Sequence, residues 1–449
     1  MSNYKDKIES VQEVTFPYLN RPIEIYHLKN GHKIVLGYKE GGLLNVSSWV
    51  KTGSINENDE NSGISHFLEH LMFKGTPKNS AGVFDKTLEA KGGIVNAATW
   101  KDYTFYYVTL PKGENNENLE LVVELHSDMM LNPLIPDEEV GPVFDIKNPE
   151  VAEKRERYVV IEEIRMREDQ PWTKTYNELN HNMYQIHPYK RDVIGEAEII
   201  ATVPQPVIMD YYKKHYTPEN ITSILVGEID FEKAIELMIE KFDFKQERPT
   251  EKHILPEVKG LNEPIYLENK SKINTGFLMF GFHGPKATNL KDSILLDILG
   301  IVMGEGTSSR LSKNLIEKPK HPVFNVIDCD QYSFKDGNIF FINGNFIPEH
   351  KETAISQIKE QIENLQKNLI EDDELTKAKK KLKVRFADSA ETVSEIGETI
   401  GYYMTVCEDL SLFEQYLKFL EGITKEDIKA AAQKYLDLEK VAISVLLPE

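Results

Sequence analysis

The sequence is poor in cysteine and has no long apolar run. Its 449 residues contain two cysteines, Cys329 and Cys407, which are too few for a disulfide framework. Neither cysteine has the neighbouring Cys or His of a metal site, so we interpret both as reduced and structural. No apolar stretch reaches the length of about 18 residues that a membrane-spanning helix needs, so none is expected.

Basic residues are outnumbered by acidic ones. The formal net charge is −20, from 53 basic and 73 acidic residues. A field of this sign repels nucleic acid and anionic membranes, so we expect neither as a partner, and it favours basic peptides. An acidic surface also keeps ordinary proteins soluble, which is an explanation that needs no partner. The N-terminus lacks the apolar stretch of a secretory signal, which predicts a cytoplasmic protein.

The chain is longer than one ordinary domain and divides into two halves of similar pattern. Each half places strands first and helices after them, which predicts a duplicated α+β domain. Between the halves, residues 243–258 are charged and contain two prolines, which is typical of a linker. We therefore predict an N-terminal domain at 1–242 and a C-terminal domain at 259–449.

Periodicity in the first half predicts the local elements. Alternating apolar residues at 23–27 and 33–38 flank Asn30-Gly31, a dipeptide typical of hairpin turns. Further strands are predicted at 44–50 and 99–110. Helical spacing of apolar residues predicts helices, among others, at 64–73 and 153–168.

One short motif carries chemistry. Residues 66–70 read His-Phe-Leu-Glu-His within the predicted helix 64–73. On a helix, His66 and His70 share a face and Glu69 lies beside them. Two such imidazoles can bind one zinc ion, and Glu69 can take a proton from water that attacks a carbonyl. A surface helix can also carry these residues without any metal, so the motif alone leaves both interpretations open.

A zinc site of this kind needs a third protein ligand and an open position for water. The predicted helix 153–168 carries Glu156 and Glu163, which lie two turns apart on one face. Glu162 is adjacent, so either Glu162 or Glu163 could complete the site. Taken alone, these acidic residues are more often a solvated helix face.

The wider sequence resembles a known family. The stretches that carry the resemblance are 63–76, 92–104, 157–164, 187–189, 193–195, 211–218 and 304–311. They are similar to the inverzincin metallopeptidases: pitrilysin, insulin-degrading enzyme and the mitochondrial processing peptidase. The closest likeness is to the short two-domain branch, which includes many bacterial members, and it covers nearly the whole chain.

This resemblance implies a role for each candidate residue of the metal site. His66, His70 and Glu163 would hold one zinc ion per chain, and Glu69 would be the general base. Glu156 matches an acidic residue that the family needs close to the metal, where it would orient a ligand.

The resemblance also implies substrate contacts. Asn96 and Ala97 match an edge-strand region along which an extended peptide would be held by main-chain hydrogen bonds. Arg310 matches a substrate-binding arginine of the second domain. The family's following tyrosine is replaced by Phe324, which has no hydroxyl, and Tyr332 is out of register. We therefore expect weakened transition-state stabilisation, or a partner subunit that supplies the missing groups.

A second departure is the long interval between the motif and the distal glutamate. The excess falls in residues 140–152, a Gly- and Pro-containing segment that we interpret as a surface loop. We expect it to shape substrate entry or contact a partner without disturbing the site.

The resemblance implies two similar α+β domains, each a mostly antiparallel sheet packed with helices. They would close as the clam-shaped half of a dimeric chamber, with an identical or related second subunit. The expected activity is a zinc endopeptidase that hydrolyses short unfolded peptides. Two alternatives remain: a zinc-bearing subunit that is active only with a partner, and a non-catalytic scaffold member of the family.

Overall fold

Two mixed β-sheets form the framework of the protein. A computed structural model describes residues 4–147, 155–244 and 254–449. In chain order the strands are β1 (Ile8–Val14), β2 (Ile23–Leu28), β3 (Lys33–Tyr38), β4 (Leu43–Val50), β5 (Ile94–Thr99), β6 (Thr104–Pro111), β7 (Ile221–Gly227), β8 (Ile265–Ser271), β9 (Gly276–His283), β10 (Phe324–Ser333), β11 (Asn338–Phe346) and β12 (Ala442–Pro448).

Helices connect and cover these strands. They are α1 (Ile64–Leu71), α2 (Val83–Glu89), α3 (Glu117–Leu131), α4 (Asp137–Val140), α5 (Glu156–Glu168), α6 (Pro171–Met183), α7 (Ala197–Thr202), α8 (Gln205–His215), α9 (Phe231–Lys241), α10 (Leu290–Met303), α11 (Lys351–Lys367), α12 (Asp372–Asp388), α13 (Val393–Tyr402), α14 (Ser411–Gly422) and α15 (Lys425–Tyr435). Within the described residues, none of them has both the length and the apolar character needed to cross a membrane.

The two sheets share one strand order. The first sheet runs β1-β2-β3-β7-β4-β6-β5, and the second runs β10-β11-β9-β12-β8. Strands β3 to β7 and strands β8 to β12 therefore follow the same path, and in each set the first and last strands pair in parallel. The other neighbours are antiparallel. The predicted α+β fold with a duplicated, mostly antiparallel sheet is confirmed.

The local predictions have mixed outcomes. The hairpin around Asn30-Gly31 is confirmed, with Gly31 at a φ of 89° and β2 antiparallel to β3. The single strand predicted at 99–110 is wrong. Residues 94–99 and 104–111 form two paired strands, because the N–H of Trp100 bonds the carbonyl of Tyr103 at 2.7 Å and closes a turn.

Two helices are exchanged between the sequence halves. Helix α6, from the first half, packs on β9 and β12, and helix α13, from the second half, packs on β4 and β7. One compact unit accordingly contains Met1–Arg165, Asp192–Ile254 and Ala387–Glu414, and the other contains Met166–Arg191, Leu255–Phe386 and Gln415–Glu449. The division at 242 and 259 stays a prediction about the halves of the sequence. Most of the predicted linker, 245–253, lies outside the described residues.

Candidate metal centre

The motif lies on α1, a short helix that is buried along one face. Ile64, Phe67, Leu68 and Leu71 are fully buried and belong to the core cluster of the first compact unit. Their spacing of three and four residues is that of an amphipathic helix. Burial of this face fixes the rotation of α1 about its axis, and so fixes the direction of the remaining side chains.

The N-terminus of α1 is held by a buried carboxylate. Glu57, 4% exposed, accepts hydrogen bonds from the N–H groups of Gly63 at 2.8 Å and Ser65 at 2.9 Å. A negative group at this end stabilises the first, unpaired N–H groups of a helix. Gly63 has a φ of 90°, and a Cβ there would lie 2.6 Å from the carbonyl oxygen of Ile194, so only glycine fits.

His66 and His70 lie one turn apart, with ring centroids 4.8 Å from each other. The Oε2 atom of Glu163, on α5, lies 3.7 Å from the Nε2 atom of each histidine. Among the described residues, these three form the one group of His, Cys, Asp or Glu side chains that could hold a metal ion. The alternative, Glu162, is instead paired with Arg165 at 2.6 Å.

The three donor atoms fit zinc. Tetrahedral zinc with bonds of about 2.0–2.2 Å places its ligand atoms roughly 3.3–3.6 Å apart. The distances of 3.7 Å from Glu163 to each histidine are close to this range. Two imidazole nitrogens and one carboxylate oxygen are a donor set of catalytic zinc sites, in which a fourth position takes water. The ligand roles of the three residues stay a prediction.

Helix α5 is fixed by a buried arginine at its start. Arg157, 2% exposed, donates hydrogen bonds to the carbonyls of Gly141 and Ile200. Its guanidinium lies 5.4 Å from the ring centroid of Phe67 on α1, and burial lowers the pKa of Arg157 to about 10. This contact sets the position of α5 against α1 and hence of Glu163 against the histidines.

Glu156 lies where the resemblance places it, beside the motif. Its Oε2 atom is 3.2 Å from Nδ1 of His70, and its Oε1 atom is 2.5 Å from the Lys74 ammonium. Burial raises the pKa of Glu156, but the bonds from His70 and Lys74 outweigh it and give a net decrease. Burial lowers the pKa of His70, but the bond to Glu156 and the nearby carboxylates raise it overall. The pair therefore favours a charged carboxylate next to His70.

Glu69 turns toward the edge of the first sheet. The hydroxyl of Thr99, the last residue of β5, donates to its Oε2 atom at 2.5 Å. Thr99 was not among the residues predicted from the sequence. The alternation of strand residues would have indicated it, because Ala97 and Thr99 share a face.

Strand β5 lies at the edge of its sheet and bonds β6 on one side. The Trp100–Tyr103 bond at the turn fixes the alternation of the ladder, so the N–H and C=O groups of Ala97 and Thr99 point away from β6. Ala97 is half-buried on the α1 side, whereas Asn96 is exposed on the opposite face. The amide oxygen of Asn96 accepts the N–H of Ala97 at 2.9 Å.

The second half contains one predicted substrate contact, Arg310, and the two aromatic residues considered for the missing hydroxyl, Phe324 and Tyr332. Arg310 donates two hydrogen bonds to the carboxylate of Glu374 on α12, at 2.8 and 2.6 Å. Phe324 is 1% exposed. Tyr332 is half-buried against Phe341, and burial raises its pKa.

The comparison with known proteins decides the family. Residues 43–197 match a family model described as insulinase (peptidase family M16), and residues 203–382 match one described as the peptidase M16 inactive domain. This chain belongs to peptidase family M16. The family resemblance in the sequence is thereby confirmed.

Relatives of similar length place the chain in the short bacterial branch of M16. The zinc protease PqqE of Helicobacter pylori is 27% identical over 423 residues, which cover 93% of this chain and 91% of that protein. The uncharacterized zinc protease YmxG of Bacillus subtilis is 25% identical over 433 residues, with coverage of 95% and 98%. A crystal structure of a protease from Helicobacter pylori has a TM-score of 0.83 at 25% identity, with coverage of 98% and 100%.

Proposed function

We propose that this chain is a zinc-dependent endopeptidase that hydrolyses short unfolded peptides. The proposal rests on one observation: ligand atoms of His66, His70 and Glu163 lie within 4.8 Å of one another. Glu69 lies on α1 with the two histidines. These three side chains would hold one zinc ion per chain. The names of the M16 relatives, which are zinc proteases, support this choice of metal.

Each residue of the site has a definite task in this proposal. Bound zinc would supply a Lewis acid that polarises the peptide carbonyl and makes a neighbouring water more acidic. Glu69 accepts a proton from that water and passes it to the leaving amine. Glu156 holds the Nδ1 side of His70, so that Nε2 faces Glu163 and would be the atom that holds the metal.

The proposed substrate-binding site is the edge of β5, with which a peptide would pair as an added strand. A peptide in extended form can add to an edge strand through main-chain hydrogen bonds, here through the outward carbonyl of Ala97 and the outward groups of Thr99. Folded proteins offer few such segments, so short unfolded peptides are the expected substrates. The net charge of −20 supports a preference for basic ones.

A specific observation supports a second candidate, a subunit whose activity depends on a partner. Phe324 is buried and has no hydroxyl, and Arg310 is engaged by Glu374, so neither predicted group of the second half is available as it stands. Residues 203–382 also match the domain that is described as inactive. A related subunit that carries the tyrosine and an unengaged arginine would then supply these groups. The complete set of His66, Glu69, His70 and Glu163 speaks against a pure scaffold.

The test is cleavage of an unstructured basic peptide of about 20–30 residues, a length suited to extended capture. Zinc content and native mass are measured on the same preparation, and Glu69→Gln is the control. Cleavage by the wild type alone, lost in Glu69→Gln with zinc retained, supports a self-sufficient peptidase. Bound zinc without cleavage favours the partner-dependent subunit. Absence of zinc from a protein purified without chelators contradicts both.

A further inference from the structure

Thr99 connects the edge strand to the general base of the proposed site. Its hydroxyl carries a single hydrogen, and the oxygen of Glu69 at 2.5 Å is the shortest acceptor contact of that hydroxyl. A hydrogen bond to a carboxylate is charge-assisted and stronger than one between neutral groups.

The second neighbour of this hydroxyl is the weaker acceptor, because it is neutral and farther away. Thr104 lies 3.4 Å from Thr99 across the strand pair, and its own hydrogen is given to the carbonyl of Thr52 at 2.9 Å, so it does not donate to Thr99. Thr104 and Thr52 are fully buried, so this arrangement is fixed by the core. Thr99 is β-branched, which leaves it few side-chain rotamers.

The hydrogen bond from Thr99 restricts the orientation of the Glu69 carboxylate. A glutamate has several rotatable bonds, and a hydrogen bond to one carboxylate oxygen removes much of that freedom. With Oε2 bound to Thr99, the position of that oxygen relative to β5 is set. Groups held in a reactive geometry before the reaction lower its entropic barrier.

The main chain of Thr99 belongs to the edge where the substrate is proposed to bind. Its main-chain groups point to the free edge of β5, where the peptide is proposed to add, while its side chain points to α1. We propose that Thr99 is a positioning residue, which orients Glu69 in fixed register with a peptide on β5. The inference rests on the proposed role of Glu69 as general base.

The experiment compares Thr99→Val, which keeps the shape and loses the hydroxyl, with Thr99→Ser, which keeps the hydroxyl. We expect kcat to fall roughly 10–100-fold in Thr99→Val, because a small misplacement of a reacting group can cost about a hundredfold in rate. KM and zinc content should stay at their wild-type values, and Thr99→Ser should recover most of kcat. Thr109→Val removes a hydroxyl from the opposite face of the sheet and should leave kcat unchanged.

A double substitution tests whether Thr99 acts through Glu69. In the Glu69→Gln background, Thr99→Val should cause no further loss, because residues that act as a unit are not additive. A loss of equal size in both backgrounds would overturn the proposal. A Thr99→Ser variant as impaired as Thr99→Val would do the same.

A crystal structure keeps the inference testable if the wild type alone cleaves nothing, an outcome that concerns the proposed function. The zinc-loaded wild type should place Thr99 Oγ1 within hydrogen-bond distance of Glu69, and in Thr99→Val the carboxylate should occupy more than one orientation. A Glu69 that turns away from Thr99 in the wild type, or that keeps a single orientation in Thr99→Val, would contradict the inference.

Discussion

Gly401 of α13 lies directly against the indole ring of Trp49 on β4: a Cβ at position 401 would be 1.9 Å from Cε2 of the ring. One turn earlier, a Cβ at Gly397 would lie 2.4 Å from the amide oxygen of Asn45 on the same strand. The two glycines allow a helix from the second half of the sequence to approach the first sheet at backbone distance.

Gly401→Ala is therefore expected to destabilise the protein. The added methyl group must displace the fully packed Trp49, and overpacking of a core typically costs about 1–3 kcal/mol. Alanine favours a helix over glycine by about 1 kcal/mol, which offsets part of this loss. Urea unfolding measures the difference.

The matched control is Gly422→Ala, at the end of α14, where a Cβ would contact nothing within 4 Å. Its free energy of unfolding should equal or slightly exceed that of the wild type. A Gly401→Ala protein as stable as this control would show that α13 does not pack closely on β4.

The exchange of α6 and α13 predicts that the sequence halves do not fold separately. A chain of residues 1–242 lacks α13, so the face of β4 and β7 that carries Trp49 would be exposed to water. We expect this fragment to bind a hydrophobic dye and to unfold without a cooperative transition. Coexpression with 259–449 should restore both properties, whereas a cooperative, dye-free fragment 1–242 would contradict the exchange.

The sequence predicted the turns and helices that are determined by residues close together in the chain. Asn30-Gly31 encodes its hairpin because the turn needs a positive φ at Gly31. Helix α1 follows from the spacing of its apolar residues, and the two histidines of the motif follow from helical geometry. The sequence also separated Glu163 from Glu162 only through the family resemblance, since spacing alone left both possible.

Contacts between segments that are distant in the chain could not be predicted from the sequence. The partner of Gly401 lies more than 350 positions earlier in the chain, and no periodicity connects the two. Thr99 was missed for a different reason. Its assignment to one long strand at 99–110 separated it from Asn96 and Ala97, although the turn at Trp100 places all three on the edge strand β5. The engagement of Arg310 by Glu374 likewise depends on the packing of α12.

Two buried histidines in the core of the first unit predict a loss of stability in acid. His32 and His126 are fully buried, and each Nε2 atom bonds a serine hydroxyl at 3.0 Å, that of Ser223 and that of Ser48. Their Nδ1 atoms have no hydrogen-bond partner among the described residues. Burial lowers the pKa of both to about 3. Both are therefore neutral in the folded protein at pH 5, whereas an unfolded histidine takes up a proton below pH about 6.5.

The free energy of unfolding is unaffected by these histidines above pH about 6.5, where they are neutral in both states. It falls progressively from there toward pH 3, because only the unfolded histidines bind protons in that range. We expect a loss of about 2 kcal/mol per histidine between pH 7 and pH 5. His126→Gln should reduce this loss between pH 7 and pH 5 by about 2 kcal/mol, the contribution of one histidine. Urea unfolding at both pH values measures it. His181→Gln, at an exposed position of α6, is the control and should leave it unchanged. Equal pH dependence in all three proteins would show that His126 is accessible to protons.

Three acidic residues of α5 predict a graded effect on zinc affinity, measured by competition with a chelating dye. Glu156→Gln removes the partner of His70 and should weaken binding roughly 10–100-fold, as is usual for a residue that orients a ligand. Glu163→Gln removes the carboxylate that faces both histidines and should weaken binding further. Glu162→Gln is the matched control, because its carboxylate pairs with Arg165 and should leave the affinity unchanged. If Glu162→Gln loses zinc and Glu163→Gln retains it, the third ligand is the neighbouring residue, and α5 must turn by about 100° on metal binding, which the buried contacts of Arg157 oppose.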